Sequence, residues 1–141
     1  MDNLIDNMYR KRFNLSSVSK NNDNCIECGN YHHIACCFEG NFNVLGFGQN
    51  HYLTTTRAYT IHAERDAIDK LPFRRKKHGV NMLVLRFTKN YKLCMSKPCD
   101  KCVNNMLYLF PKKGYVIKDI YYSNFDGDIE RTTLKKLSKS K

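Results

Sequence analysis

Apolar residues recur along this chain at two spacings, one helical and one alternating or continuous. Residues 2–18 carry Leu4, Ile5, Met8, Phe13, Leu15 and Val18 near helical spacing, which predicts a helix within residues 1–20. Residues 19–24 are polar and rich in Asn, a loop. The apolar runs 34–38 and 42–47 flank Glu39-Gly40-Asn41, the pattern of an antiparallel hairpin. Gly, Asn and Thr then mark residues 48–60 as a loop. A helix is predicted over 61–71, with Ala63, Ala67, Ile68 and Leu71 on one face and Pro72 as its stop. Residues 82–87 read as a buried strand and 89–97 as a loop. Another helix starts after Pro98, which suits a first turn because it has no amide hydrogen to satisfy. Val103, Met106, Leu107 and Phe110 form its apolar face, and Pro111 with Gly114 is expected to end it. A strand follows over 115–122. The turn Asn124-Phe125-Asp126-Gly127-Asp128 then predicts a last strand, over 129–134, antiparallel to it.

This order, α-β-β-α-β-α-β-β, describes an α/β sandwich: a sheet with helices packed on it. No internal repeat or second domain is visible. One domain is therefore expected over residues 1–141, with a basic tail over 132–141.

Composition narrows the class. A 42% apolar content with 8 Phe and 9 Tyr suits a chain that buries a core. No run of eighteen apolar residues predicts a membrane span, and the first residues carry no secretory pattern, so a cytoplasmic or nuclear protein is expected. In that reducing setting 7 cysteines favour metal ligands or buried thiols, and an odd number cannot all pair within one chain. The 24 basic against 13 acidic residues give a net charge of +11. The clusters at residues 10–12, 74–77, 112–113 and 135–141 have two readings. One is attraction to an anionic partner, such as a nucleotide, a nucleic acid or an anionic assembly. The other is the residue bias of a chain with 16 Lys and 15 Asn, spread over solvated faces.

His62-Ala63-Glu64 opens the second predicted helix, and Pro98-Cys99-Asp100-Lys101-Cys102 opens the third. The pair His-x-Glu with Pro-Cys-x-x-Cys is the zinc-deaminase signature. Zinc takes nitrogen and sulfur donors in a tetrahedron, and a catalytic site keeps one position for water. Cys99 and Cys102, three residues apart at a helix start, can grip one ion, and His62 adds a nitrogen. Glu64, two residues on, can stand beside the metal as a proton shuttle without binding it. A Cys-x-x-Cys alone is also a redox or structural pair; both halves together, each opening a helix, point to one Zn2+ site.

With these residues the chain resembles the cytidine and deoxycytidylate deaminase superfamily, over about residues 33–123. His62-Ala63-Glu64-Arg65-Asp66-Ala67-Ile68 looks like the family's zinc-binding helix, and Met95-Ser96-Lys97-Pro98-Cys99-Asp100-Lys101-Cys102 like its second zinc segment. The resemblance implies a cytidine-deaminase-like three-layer sandwich: a mixed five-stranded sheet with helices on both faces. It also implies hydrolytic deamination of a cytosine-containing nucleoside, nucleotide or polynucleotide, and frequent homo-oligomers. By the same match Asn50, in Gly46-Phe47-Gly48-Gln49-Asn50, is a candidate substrate contact, and the Ala63 amide would face the pyrimidine ring. The His before Ala-Glu is closer to the deoxycytidylate, tRNA-adenosine and polynucleotide branches. The antiparallel ending is closer to the cytidine deaminase branch, and both readings stand.

Three further features are candidates. Cys25 and Cys28 with His32 and His33 could hold a second, structural ion, with free thiols as the alternative. Arg74, Arg75, Lys76 and Lys77 are candidate phosphate contacts outside the pocket. Cys94 lies in the loop before the metal segment, near the expected pocket mouth. The competing function is a non-catalytic, basic deaminase-fold protein that binds nucleic acid or serves in an assembly.

Overall fold

A computed structural model of the chain describes residues 1–13, 32–52, 60–88 and 92–139. Helix α1 (Asp2–Phe13) turns Leu4, Ile5 and Met8 inward and ends in Arg10, Lys11 and Arg12, cations that suit the negative end of a helix. Residues 14–18 of the predicted helix lie outside the described residues. Strands β1 (His32–Glu39) and β2 (Asn43–Gln49) form the expected hairpin, with a register shift between Cys37 and Phe38. The loop expected over 48–60 begins differently. β2 runs through Gly48 to Gln49, and the two-residue strands β3 (His51–Tyr52) and β4 (Thr60–Ile61) pair antiparallel. These short ladders depend on a backbone partner, which side-chain pattern does not report.

Helix α2 (Ala63–Asp69) is shorter at both ends than predicted. β5 (His78–Phe87) starts four residues before its apolar run, because β6 (Tyr115–Ser123) offers parallel partners from Tyr115 onward. Between them α3 (Asp100–Lys113) continues two residues past Pro111 and stops before Gly114, the pair expected to end it. Pro111 sits in the last turn with its ring exposed, and Gly114 at φ 92° ends the helix in the left-handed conformation. β7 (Ile129–Thr132) runs antiparallel to β6, as expected. Residues beyond it are not simply a basic tail. α4 (Leu134–Lys139) folds back and buries Leu137, while Lys135, Lys136 and Lys139 stay outside.

The sheet order is β2-β1-β5-β6-β7, mixed and five-stranded, with only β5 and β6 parallel. On one face α2, α3 and α4 cover Ala35, Cys37, Val80, Met82, Val84 and Ile120. On the other, α1 packs on Ile34, Cys36, Phe38, Leu83, Leu85 and Phe87. This is the three-layer α/β arrangement that the resemblance implied. It explains why Cys36 and Cys37 are both buried: the pleat sends neighbours to opposite faces, and both faces are covered. Burial pushes the Cys36 thiol up to about 12. Among the described residues no helix is long and apolar enough to cross a membrane.

Candidate metal centre

Parallel pairing of β5 and β6 places the beginning of α3 beyond the C-terminal end of β5. The connecting segment is anchored through Ser96, which is buried. Its Oγ donates to the Val84 carbonyl at 2.7 Å and accepts the Ser123 amide at 2.8 Å, and the Ser96 amide donates to the Ser123 carbonyl at 2.9 Å. The Ser123 hydroxyl in turn donates to the Cys94 carbonyl at 2.6 Å. Chain entry into α3 is thus fixed to the ends of two central strands. Cys99 is the N-cap, in extended conformation, and its carbonyl accepts the Val103 amide at 2.9 Å. Cys102 lies in the first turn and is buried, whereas Cys99 is exposed.

His62 holds the same position on α2. It is the N-cap, with φ −77° and ψ 156°, and its side chain makes no cap bond. The imidazole is directed at α3 instead: Nδ1 lies 3.1 Å from Cys102 Sγ and 3.7 Å from Cys99 Sγ. All three donor atoms lie within 4.8 Å of one another, and among the described residues these form the one such group of His, Cys and acidic side chains. A zinc tetrahedron with ordinary bond lengths has N···S and S···S edges of about 3.6 and 3.8 Å. The spacing and the nitrogen-sulfur donor set therefore fit that ion.

Glu64 lies in the first turn of α2 and is buried. Burial pushes its carboxyl up from the ordinary range, while its own backbone amide, Cys102 and His62 draw it partly back. Cys102 is pushed up by burial first, then by Glu64 and Cys99.

The geometry depends on how closely α2 lies on β2. Gly48 has no room for a side chain: an added Cβ would collide with the Ala67 amide and the Ala63 carbonyl, and would stand 2.7 Å from Ala67 Cα. Next to it the Gln49 amide donates to Asp66 Oδ2 at 2.9 Å, and Lys70 pairs with the same carboxylate at 3.1 Å.

Among the residues that the resemblance assigned to substrate, Ala63 is the buried first residue of α2. Asn50 is already engaged through its oxygen, which accepts the His33 amide at 3.1 Å and Arg12 Nη2 at 3.4 Å. Of the four residues expected to hold a second ion, only His32 and His33 fall among the described residues. Strand pleating puts His32 on the face of Ile34 and Cys36 and His33 on the opposite face, so the two imidazoles diverge. Cys25 and Cys28 lie outside the described residues. His33 lies on the side of the candidate cluster: burial, then the charges of Arg86 and His62, lower its pKa to about 4. No local sequence signal marks that role, because it arises from the cross-strand pairing of His33 with Arg86.

Arg74 to Lys77 lie at the far end of α3 from the two cysteines. The Arg74 amide donates to the Lys113 carbonyl at 3.0 Å, and its guanidinium to Tyr115 Oη at 3.2 Å. A helix of fourteen residues spans about 21 Å. Arg74 is thus built into the fold, and the exposed Arg75, Lys76 and Lys77 stand well away from the donors. Cys94 is half-buried near the start of the anchored segment, its amide bonded to the Arg86 carbonyl at 2.8 Å.

No family model matches the chain, and no curated protein matches it. Among solved structures it is similar to the dCMP deaminase of the cyanophage S-TIM5 in apo form, at 17% identity and a TM-score of 0.47, over 89% of this chain and 86% of the phage chain. It is also similar to that enzyme in complex with dCMP and dUMP, at 18% identity and a TM-score of 0.44, over 66% and 65% of the two chains.

Proposed function

We propose that this chain is a zinc-dependent hydrolytic deaminase of cytosine-containing nucleosides, nucleotides or polynucleotides. The observation that carries the reading is the convergence of His62, Cys99 and Cys102 from two helix beginnings, with the Glu64 carboxyl buried against Cys102. His62, Cys99 and Cys102 are the residues that would hold the ion. Zinc in that place would supply Lewis acidity, the means of ionising water near neutral pH.

Glu64 then has defined work. In the overall reaction water adds to the ring carbon that bears the exocyclic amine, the carbon–nitrogen bond breaks, and ammonia leaves. One proton of the water must move to the ring nitrogen and the other to the departing amine. A carboxyl buried beside the donors can both take and return a proton. Its place on α2, two residues from His62, puts it beside the donors without making it one of them. Ala63 contributes its backbone between the two.

Metal analysis with ammonia assays over a panel from free bases to single strands tests the reading. About one zinc per chain is expected, together with turnover of at least one cytosine substrate. Glu64→Ala should retain the metal and lose turnover by several orders of magnitude, whereas ammonia release insensitive to that change would refute the mechanism. The exposed trio Arg75, Lys76 and Lys77 favours a second reading, nucleic-acid binding without turnover. Steeply salt-dependent binding with an inert panel would select it.

A further inference from the structure

The two helices that carry the metal donors are joined at their other ends as well. Lys113, the last residue of α3, extends its ammonium to the C-terminal end of α2. Its Nζ lies 3.1 Å from the Ile68 carbonyl, 2.7 Å from that of Asp69 and 2.8 Å from that of Leu71. The last carbonyls of a helix have no intrahelical partner, and a cation there also meets the negative end of the helix dipole. An ammonium has three protons, and these three acceptors match them.

This cap belongs to a neighbouring helix, and that neighbour holds both sulfurs at its beginning, Cys99 as N-cap and Cys102 in the first turn. α2 has only seven residues, about two turns, a length that does not hold its shape in isolation. The direction in which it presents His62 is set by what it touches. Gly48 and Gln49 fix it to β2, and Lys113 draws its far end onto α3. His62, α2, Lys113 and α3 therefore form a closed frame whose open corner is the donor cluster.

We infer that Lys113 is a positioning residue of the metal centre, setting the distance between His62 and the two sulfurs from the opposite end of the helix pair. The inference rests on the metal-binding reading proposed above. Neighbouring Lys112 provides the control. It carries the same charge at the same helix end, but its ammonium lies over the Tyr108 ring, 5.1 Å from the centroid and 3.4 Å from the hydroxyl.

The test is titration of the full chain with Co2+, followed through cobalt–thiolate absorption, with a thermal melt of each variant. Lys113→Met should weaken Co2+ binding about tenfold, as expected for a group that orients a ligand. Lys113→Arg should recover most of the loss, and Lys112→Met should bind as the parent chain does. In a His62→Ala background the additional effect of Lys113→Met should vanish, since the ligand it positions is gone. Unchanged affinity in Lys113→Met overturns the inference, as does an equal loss in Lys112→Met or a loss that persists without His62. If Lys113→Met has no cooperative melt, Lys113→Gln takes its place, with a smaller loss expected and the same outcomes decisive. A parent chain without cobalt–thiolate absorption overturns the metal-centre reading itself.

Discussion

Replacing Gly48 with Ala adds one methyl group at the point where strand β2 lies against helix α2. The new Cβ would stand 2.7 Å from Ala67 Cα and closer still to the Ala67 amide and the Ala63 carbonyl, all of them backbone. Ordinary carbon contacts begin near 3.5 Å, so strand and helix must part by roughly 1 Å. No flexible side chain can absorb the movement. Overpacking of this kind costs about 2 kcal/mol, or roughly 6 °C in melting temperature for a chain of this size. A second consequence falls on the donors. α2 carries His62 and Glu64, whereas Cys99 and Cys102 ride on α3, so parting α2 from the sheet misplaces half of the cluster. Displacing the support of a ligand in this way should weaken Co2+ binding on the order of tenfold. Thermal melts and Co2+ titration of Gly48→Ala measure the two effects separately. A variant that melts within a degree of the parent and binds Co2+ equally well would refute the close approach as the device that sets the site.

Other outcomes follow from single contacts. Ser96→Ala removes the hydroxyl that accepts the Ser123 amide and donates to the Val84 carbonyl, and should cost about 2 kcal/mol in denaturant unfolding; an unchanged midpoint would show that the segment before Cys99 is anchored otherwise. Leu137→Ala empties the place that α4 fills in the core and should cost about 2–3 kcal/mol, whereas a tail that is merely solvated would show no loss. His33 should make stability fall in acid. Above pH 6.5 the imidazole is neutral in both states; between 6.5 and about 4 the unfolded chain binds a proton that the folded chain refuses, so stability drains away across that window. Allowing for the partial exposure of His33, the loss is about 2 kcal/mol, and His33→Gln should flatten the slope between pH 7 and 4.5 in denaturant titrations.

The elements and the donors were legible in the linear chain because both depend on neighbours in sequence. Val103, Met106 and Phe110 mark one face of α3 wherever that helix packs, and Cys99 and Cys102 are held together by one helical turn. The turn at residues 124–128 specifies an antiparallel return whatever lies beside it. Contacts between distant segments were decided elsewhere. That Gly48 must be glycine follows from the backbone of α2, and that β5 begins at His78 follows from Tyr115 opposite it. Pro111 stays helical because its turn is exposed, and Leu137 is buried because α4 returns to α3. His32 and His33 are adjacent in sequence but separated by the sheet, while Arg74 to Lys77 follow α2 and finish at the end of α3 opposite the donors. Periodicity encodes which side of an element is apolar. It holds no record of which backbone lies opposite, and that pairing, made only on folding, placed His62 against the sulfurs and Lys113 at the other end of the frame.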